Sequence, residues 1–371
     1  MTRHLAAWTG LAVLCAVPAV GQFVDDGWTY SMRIEFPGYD GGETLHDFPA
    51  LVVFQPGSNG FSYSQFASET GADLRFADAW SLRELNYEID EWHTNGNSLV
   101  WVQVPQLTGD AAIKAYWGNA EATVPACATN GSAWSNACLS VWHLNEDGFP
   151  YTNSRTPAHL ATNGFAPERV AGKVGLGQHF DQDDTTNYVE IGVHDLGDRF
   201  TVSAWVNLDT NAADIETILG AKGPYTQEGW AFYVNRWDVT PSTDQRLLFE
   251  GYGPIYWYIE TETNVCTYGE WHHVAAVINR FSGTGTLYAD GEEVLLGQNQ
   301  VGSFFDNNRT VYIGKFLPEL FRLDAIVDEI RIETAERSPA WMRAVWLNVV
   351  SNEAFNAYGP VARRGTVFVF E

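Results

Sequence analysis

The chain has 371 residues, of which 45% are hydrophobic, 14% aromatic and only 18% charged, with 34 glycines and 15 tryptophans. At ~100–200 residues per domain this allows one to three domains, and glycine mixed with large aromatics fits β-sandwiches rich in turns. A formal net charge of −25 argues against nucleic acid and anionic membranes, because phosphate binding needs a basic stripe; it fits cation binding, neutral glycans or basic partners, and it also serves solubility.

The N-terminus opens with Arg3 and His4, an apolar run over 5–20, and a small-residue cleavage site at Ala19-Val20-Gly21. This reads as a secretory signal peptide over 1–21, cut before Gln22. The run is shorter than the ~20 residues a spanning helix needs, and no later segment qualifies. Leu14 ahead of Cys15 disfavours a lipid-anchoring signal. The expected location is the periplasm, the cell envelope or the outside of the cell.

Strand-like runs follow at 28–36, 48–54, 73–76, 85–92, 99–104 and 113–117, each bounded by Gly, Asn, Asp or Pro. They predict a first β-sandwich over 22–123, with a helical turn at 62–68. Residues 124–136 are small, polar and turn-rich and read as a linker. Cys127 and Cys138 flank it and are the natural disulfide pair in an exported chain, which leaves Cys266 as a small buried hydrophobe.

A second block over 137–360 carries runs at 139–144, 174–180, 188–191, 200–208, 217–221, 230–235, 246–250, 256–260, 271–279, 285–289, 311–314 and 326–332. The 200–206 run alternates faces, one apolar and one mixed. One long helix is predicted: Ser338 caps it, Pro339 starts it, and Trp341, Met342, Val345, Trp346 and Val349 form an apolar stripe that closes the second sandwich. Residues 361–371 are a tail. The fold class is all-β: two sandwiches and one C-terminal closing helix.

The stretches LHDFPALVVF (45–54), GADLRFAD (71–78), LNYEIDEW (85–92), VWVQVPQLTG (100–109) and IKAYWGNAEAT (113–123) resemble the bacterial domain of unknown function 2341. VWHLNE (141–146), VGLGQHFDQDDTTNYVEI (174–191), FTVSAWVNL (200–208), EWHHVAAVIN (270–279), GTLYADGEEV (285–294) and AIVDEIRI (325–332) resemble the concanavalin A-like, laminin G/pentraxin-type jelly roll. The second resemblance implies glycan or protein binding, often around calcium. The pair of resemblances implies an exported protein, since in bacteria the two modules often occur in tandem in exported proteins, sometimes ahead of a proton-driven channel domain.

Calcium takes six to eight oxygen ligands, and the loop holding Asp181, Asp183, Asp184 and Asn187 can supply several. The resemblance points to Asp181 and to the pair Asp328 and Glu329; strand neighbours face opposite ways, so one of the pair reaches a given site, and Asp324 is a rival to Asp328. For sugar stacking the aromatics Tyr256, Tyr258, Trp230 and Trp237 are the candidates, with Tyr256 and Tyr258 on one face and Trp257 on the other.

Glycosidases on this scaffold use acids at i, i+2 and i+4. Glu88 and Asp90 share a face, but Glu91 falls on the other, and the 328–333 run lacks the set as well. His143 reads as a strand residue. His272 and His273 point to opposite faces, one packed and one exposed. The sequence therefore predicts an exported, non-catalytic binding or adhesion protein for glycans or an envelope protein, with calcium as cofactor. A glycoside hydrolase or lyase, and a periplasmic component of a proton-driven transport assembly, are the alternatives.

Overall fold

The computed structural model describes residues 23, 25–134, 137–182, 187–210, 212, 214–222, 229–298, 301–302, 309–315 and 321–364. The expected signal peptide and two of the expected calcium ligands, Asp183 and Asp184, lie outside them. The protein is all-β, in two sandwiches.

In the first unit, strand Leu45–Phe54 pairs with Ser98–Leu107, which pairs with Tyr87–Glu91. Period-two alternation sends Phe48, Ala50 and Val52 inward opposite Val104, Val102 and Val100. These meet Ile34, Ile113, Ala115 and Trp117 from the facing sheet of Tyr30–Glu35 and Ala112–Trp117. The opposite face is apolar too: Leu51 and Trp101, a cross-strand pair, pack on Trp134, Val141 and Val174. A sheet covered on both faces reads as continuous hydrophobic runs, as 50–54 and 99–102 do.

The second unit is a jelly roll of two eight-stranded sheets. One contains Ala325–Glu333, Arg199–Leu208 and Trp271–Asn279; the other contains Gly229–Val234, Leu247–Tyr252 and Tyr256–Thr261. Phe200, Val202, Ala204 and Val206 face Trp230, Phe232, Val234 and Phe249 across the core. The outer face of the first of these sheets is not solvent: Ala275, Val277 and Tyr288 join the first unit's core.

The helix Pro339–Val350 begins as expected, with Ser338 Oγ accepting the Trp341 amide at 3.2 Å. Its place differs from the expectation. Trp341, Met342 and Val345 pack on Phe48 as well as on Val277 and Tyr288, so the helix is wedged between the units. Beyond it, Ala357–Tyr358 and Ala362–Arg363 pair with Tyr30–Glu35, returning the chain to the first unit's sheet.

The expected Cys127–Cys138 bridge is not formed. Cys127 packs against the first unit's core, whereas Cys138 starts a strand of the jelly roll and directs its thiol 3.3 Å from Glu333 Oε1. Of the expected linker, the described residues 124–134 are docked rather than loose: Trp134 is buried and its indole donates to Glu88 at 2.6 Å. Among the described residues no helix is long and apolar enough to cross a membrane.

Candidate functional site

Strands Gly229–Val234, Leu247–Tyr252 and Tyr256–Thr261 lie side by side, with cross-strand pairs Ala231–Glu250, Glu250–Tyr258 and Tyr252–Tyr256. Alternation puts Trp230, Phe232, Phe249 and Trp257 into the core and Tyr233, Glu250, Tyr252, Tyr256 and Tyr258 on the outer face. Tyr256 and Tyr258 thus share a face, as expected, with ring centroids 5.7 Å apart. Trp237, in the turn beyond the first strand and 40% exposed, sets its ring edge-on to both, at 6.1 and 5.2 Å. Trp230 does not belong with them. It is fully buried and stacks on Phe249 at 5.6 Å, because it shares its strand face with Phe232 and Val234.

Trp237, Tyr252 and Tyr256 border a pocket of about 300 Å³ that Lys222, Tyr233 and Glu250 also line. Glu250 is buried at its floor and ion-paired with Lys222. Its Oε2 accepts the hydroxyls of Tyr233 and Tyr256, each at 3.1 Å. The Lys222 ammonium also sits 4.0 Å over the Tyr252 ring. Burial and the Glu250 charge push the Tyr233 and Tyr256 hydroxyls well above their ordinary value, so both stay protonated donors to Glu250. The Tyr256 oxygen, half-buried at the pocket, keeps its lone-pair side as an acceptor. Flat apolar rings around fixed polar groups suit a ligand with both CH faces and hydroxyls.

A larger cleft of about 580 Å³ runs between the units, past Leu51, Lys173, Asn352 and Tyr358. Three of its polar groups are committed to packing: Asn352 and Asn356 donate to the Leu51 carbonyl, and Tyr358 accepts the Val53 amide. It offers fewer convergent groups than the aromatic pocket.

The expected cation ligands fall in different places. Asp181, exposed after strand Leu176–Phe180, continues the register in which Phe180 pairs with Ala325, and so stands beside Asp324. His179 Nε2 lies 2.9 Å from Asp209 Oδ2, and donor atoms of His179, Asp209 and Asp324 gather within 4.8 Å of one another. Burial, then the charges of Asp209 and Asp181, push the Asp324 carboxyl above the usual carboxylate range. A concentration of carboxylate oxygens that raises its own members is a set a cation would relieve. Asn187 is buried near the start of Tyr188–Val193.

Asp328 is not part of this group. Its Oδ2 takes the amides of Lys173 and Val174 at 2.7 Å each, four residues farther along the strand. Asp328 and Glu329 do not face opposite ways, because the strand bulges: Ser203 pairs with Arg331 but Trp205 with Asp328, and Glu329 takes a left-handed φ of 52°. Strand Tyr87–Glu91 also shifts register between Ile89 and Glu91, so Glu91 points to the second unit with Asp90 instead of away from it. Glu91 Oε1 accepts the Leu176 amide at 3.0 Å.

His143 lies in this junction, buried against Glu329 and stacked at 6.3 Å on Trp101. His272 and His273 are both buried, rather than one exposed: His272 Nδ1 lies 2.7 Å from Asp290 Oδ2, and His273 packs on Trp205. Asp209 and Glu250, which the sequence reading missed, sit in strand ends and faces that no motif marks.

Residues 183–342 match the concanavalin A-like lectin/glucanases superfamily, and residues 70–133 match the domain of unknown function 2341. No curated protein matches the chain. Solved structures that resemble it include the binding domain of Paraclostridial Mosquitocidal Protein 1, at 12% identity and a TM-score of 0.45, over 57% of this chain and 52% of that one. Domain 4 of AbnA, a GH43 extracellular arabinanase from Geobacillus stearothermophilus solved with arabinotriose, aligns at 15% identity and a TM-score of 0.41, over 56% and 96%. The Trypanosoma rangeli sialidase aligns at 15% identity and a TM-score of 0.43, over 71% and 42%.

Proposed function

We propose that the protein is an exported, non-catalytic binding protein that holds a glycan in the pocket between Trp237, Tyr252 and Tyr256. The observation that carries this reading is the pairing of exposed aromatic rings with a buried Glu250 that fixes two tyrosine hydroxyls. The rings take the CH faces of a sugar, and the Tyr256 oxygen accepts a sugar hydroxyl. Hydrolysis needs two facing carboxyls ~5–9.5 Å apart, and Glu250 is the one acid among the described residues lining the pocket.

Calcium would be held by Asp181, Asp209 and Asp324, whose oxygens suit it, with His179 orienting Asp209 rather than ligating. The ion would tie the segment after strand Leu176–Phe180 to the start of Ala325–Glu333 and so stiffen one end of the jelly roll. A glycan array probed with the full chain, with and without calcium, tests the binding reading. Binding of one glycan class that Trp237→Ala weakens supports it; an array blank under both conditions rejects it.

A further inference from the structure

The two bulges described above face each other across the junction between the units. They bring Asp90 from the first unit against His143 and Glu329 of the second, and all three side chains are at most 7% exposed. One donor atom from each lies within 4.8 Å of the others. His143 Nδ1 contacts Glu329 Oε1 and stands 3.8 Å from Asp90 Oδ2.

Both Asp90 oxygens and the second Glu329 oxygen are held from outside. Asn145 donates to Asp90 Oδ1 at 2.7 Å, Trp101 to Asp90 Oδ2 at 3.2 Å, and Arg331 to Glu329 Oε2 at 2.8 Å. Carboxylates oriented in this way are what metal ligation uses.

His143 Nε2, buried and 3.8 Å from Glu88 Oε2, has no hydrogen-bond partner. Glu88, Asp90 and Glu329 surround His143, and Trp101 and Trp134 pack against the imidazole.

We propose that Asp90, His143 and Glu329 bind one divalent transition metal of the zinc class at the junction between the units. One imidazole nitrogen among carboxylate oxygens favours zinc over calcium or magnesium. Binding releases to solvent the proton shared by His143 and Glu329, and the metal takes its place between them. Because the ligands come from both units, the metal clamps one to the other. This site is separate from the group around Asp324 and does not depend on the glycan reading.

The test uses the untagged full chain, purified without chelator, with metal content measured by mass spectrometry. The chain is then stripped with dipicolinate and titrated with Zn²⁺ and Co²⁺. One zinc per chain that excess calcium does not displace is expected, with a Co²⁺ spectrum of mixed nitrogen and oxygen ligation. Asp90→Asn and Glu329→Gln should each weaken uptake by about 10-fold or more, while Asp324→Asn leaves it unchanged. Should those variants fail to fold, X-ray absorption on the wild-type zinc form decides: a single imidazole among oxygens supports the site. An all-oxygen shell, no stoichiometric uptake, or uptake lost in Asp324→Asn instead overturns it.

Discussion

Asn348, in the last turn of the helix, accepts the amide of Leu51 at 2.6 Å across 297 residues of sequence. Leu51 lies on an edge strand, whose outward backbone groups would otherwise stay unpaired in a buried place. Asn352 and Asn356 donate to the Leu51 carbonyl at 2.9 and 2.8 Å. The helix and the segment after it thus finish the first unit's sheet from outside it. Asn348→Ala strands the buried Leu51 amide, and a loss of about 1–3 kcal/mol is expected in denaturant unfolding, with faster proteolysis at the junction. An unchanged midpoint contradicts this role.

The two tryptophans of the aromatic strand face and turn should separate cleanly. Trp230→Ala opens a cavity in the jelly-roll core and should cost about 3–5 kcal/mol of stability. Trp237→Ala should leave the melting temperature nearly unmoved and weaken glycan binding about 5- to 10-fold. Calorimetry of both variants beside the wild type checks the pair; equal effects of the two on stability would contradict the assignment of faces.

Calcium should raise the melting temperature of the wild type by a few degrees, and EDTA should reverse it, since a ligand at 100 times its Kd adds about 2.7 kcal/mol. Asp324→Asn should abolish the response. It should also stabilise the calcium-free protein slightly, because Asp324 is a carboxyl whose value is raised by burial and by Asp209 and Asp181. Such a group stabilises the fold below its unfolded value and loses that contribution as pH rises. An EDTA-insensitive melting temperature removes calcium from the account.

His194 gives a pH dependence of the opposite sign. Burial pushes it down to about 4, while an unfolded histidine sits near ~6.5. The neutral ring's contribution is complete above the unfolded value and is lost as pH falls toward the folded one, by on the order of 1–3 kcal/mol. Replacing it by leucine should flatten wild-type stability between these limits. An identical pH profile for wild type and His194→Leu would show that the ring is hydrated.

Most strands were legible in the sequence because period-two patterning survives in both units; 271–279 and 256–261 stand almost where the alternation puts them. The place of Trp230 was legible too, since it repeats with Phe232 and Val234 at i, i+2 and i+4. What alternation cannot show is where it stops. At Asp90 and at Glu329 a bulge reverses the faces, and nothing in those residues announces it. Nor can one sequence show which outer face a second layer covers. The helix stripe was read as closing one sandwich because its second partner, Phe48, lies almost 300 positions away.

The glycan reading is tested most directly by a crystal structure of the chain with an oligosaccharide that the array selects. The account predicts a sugar ring against Trp237, with a ring hydroxyl on Tyr256 Oη. A sugar seated instead in the cleft by Lys173 and Tyr358, or anywhere away from the aromatic pocket, would contradict it.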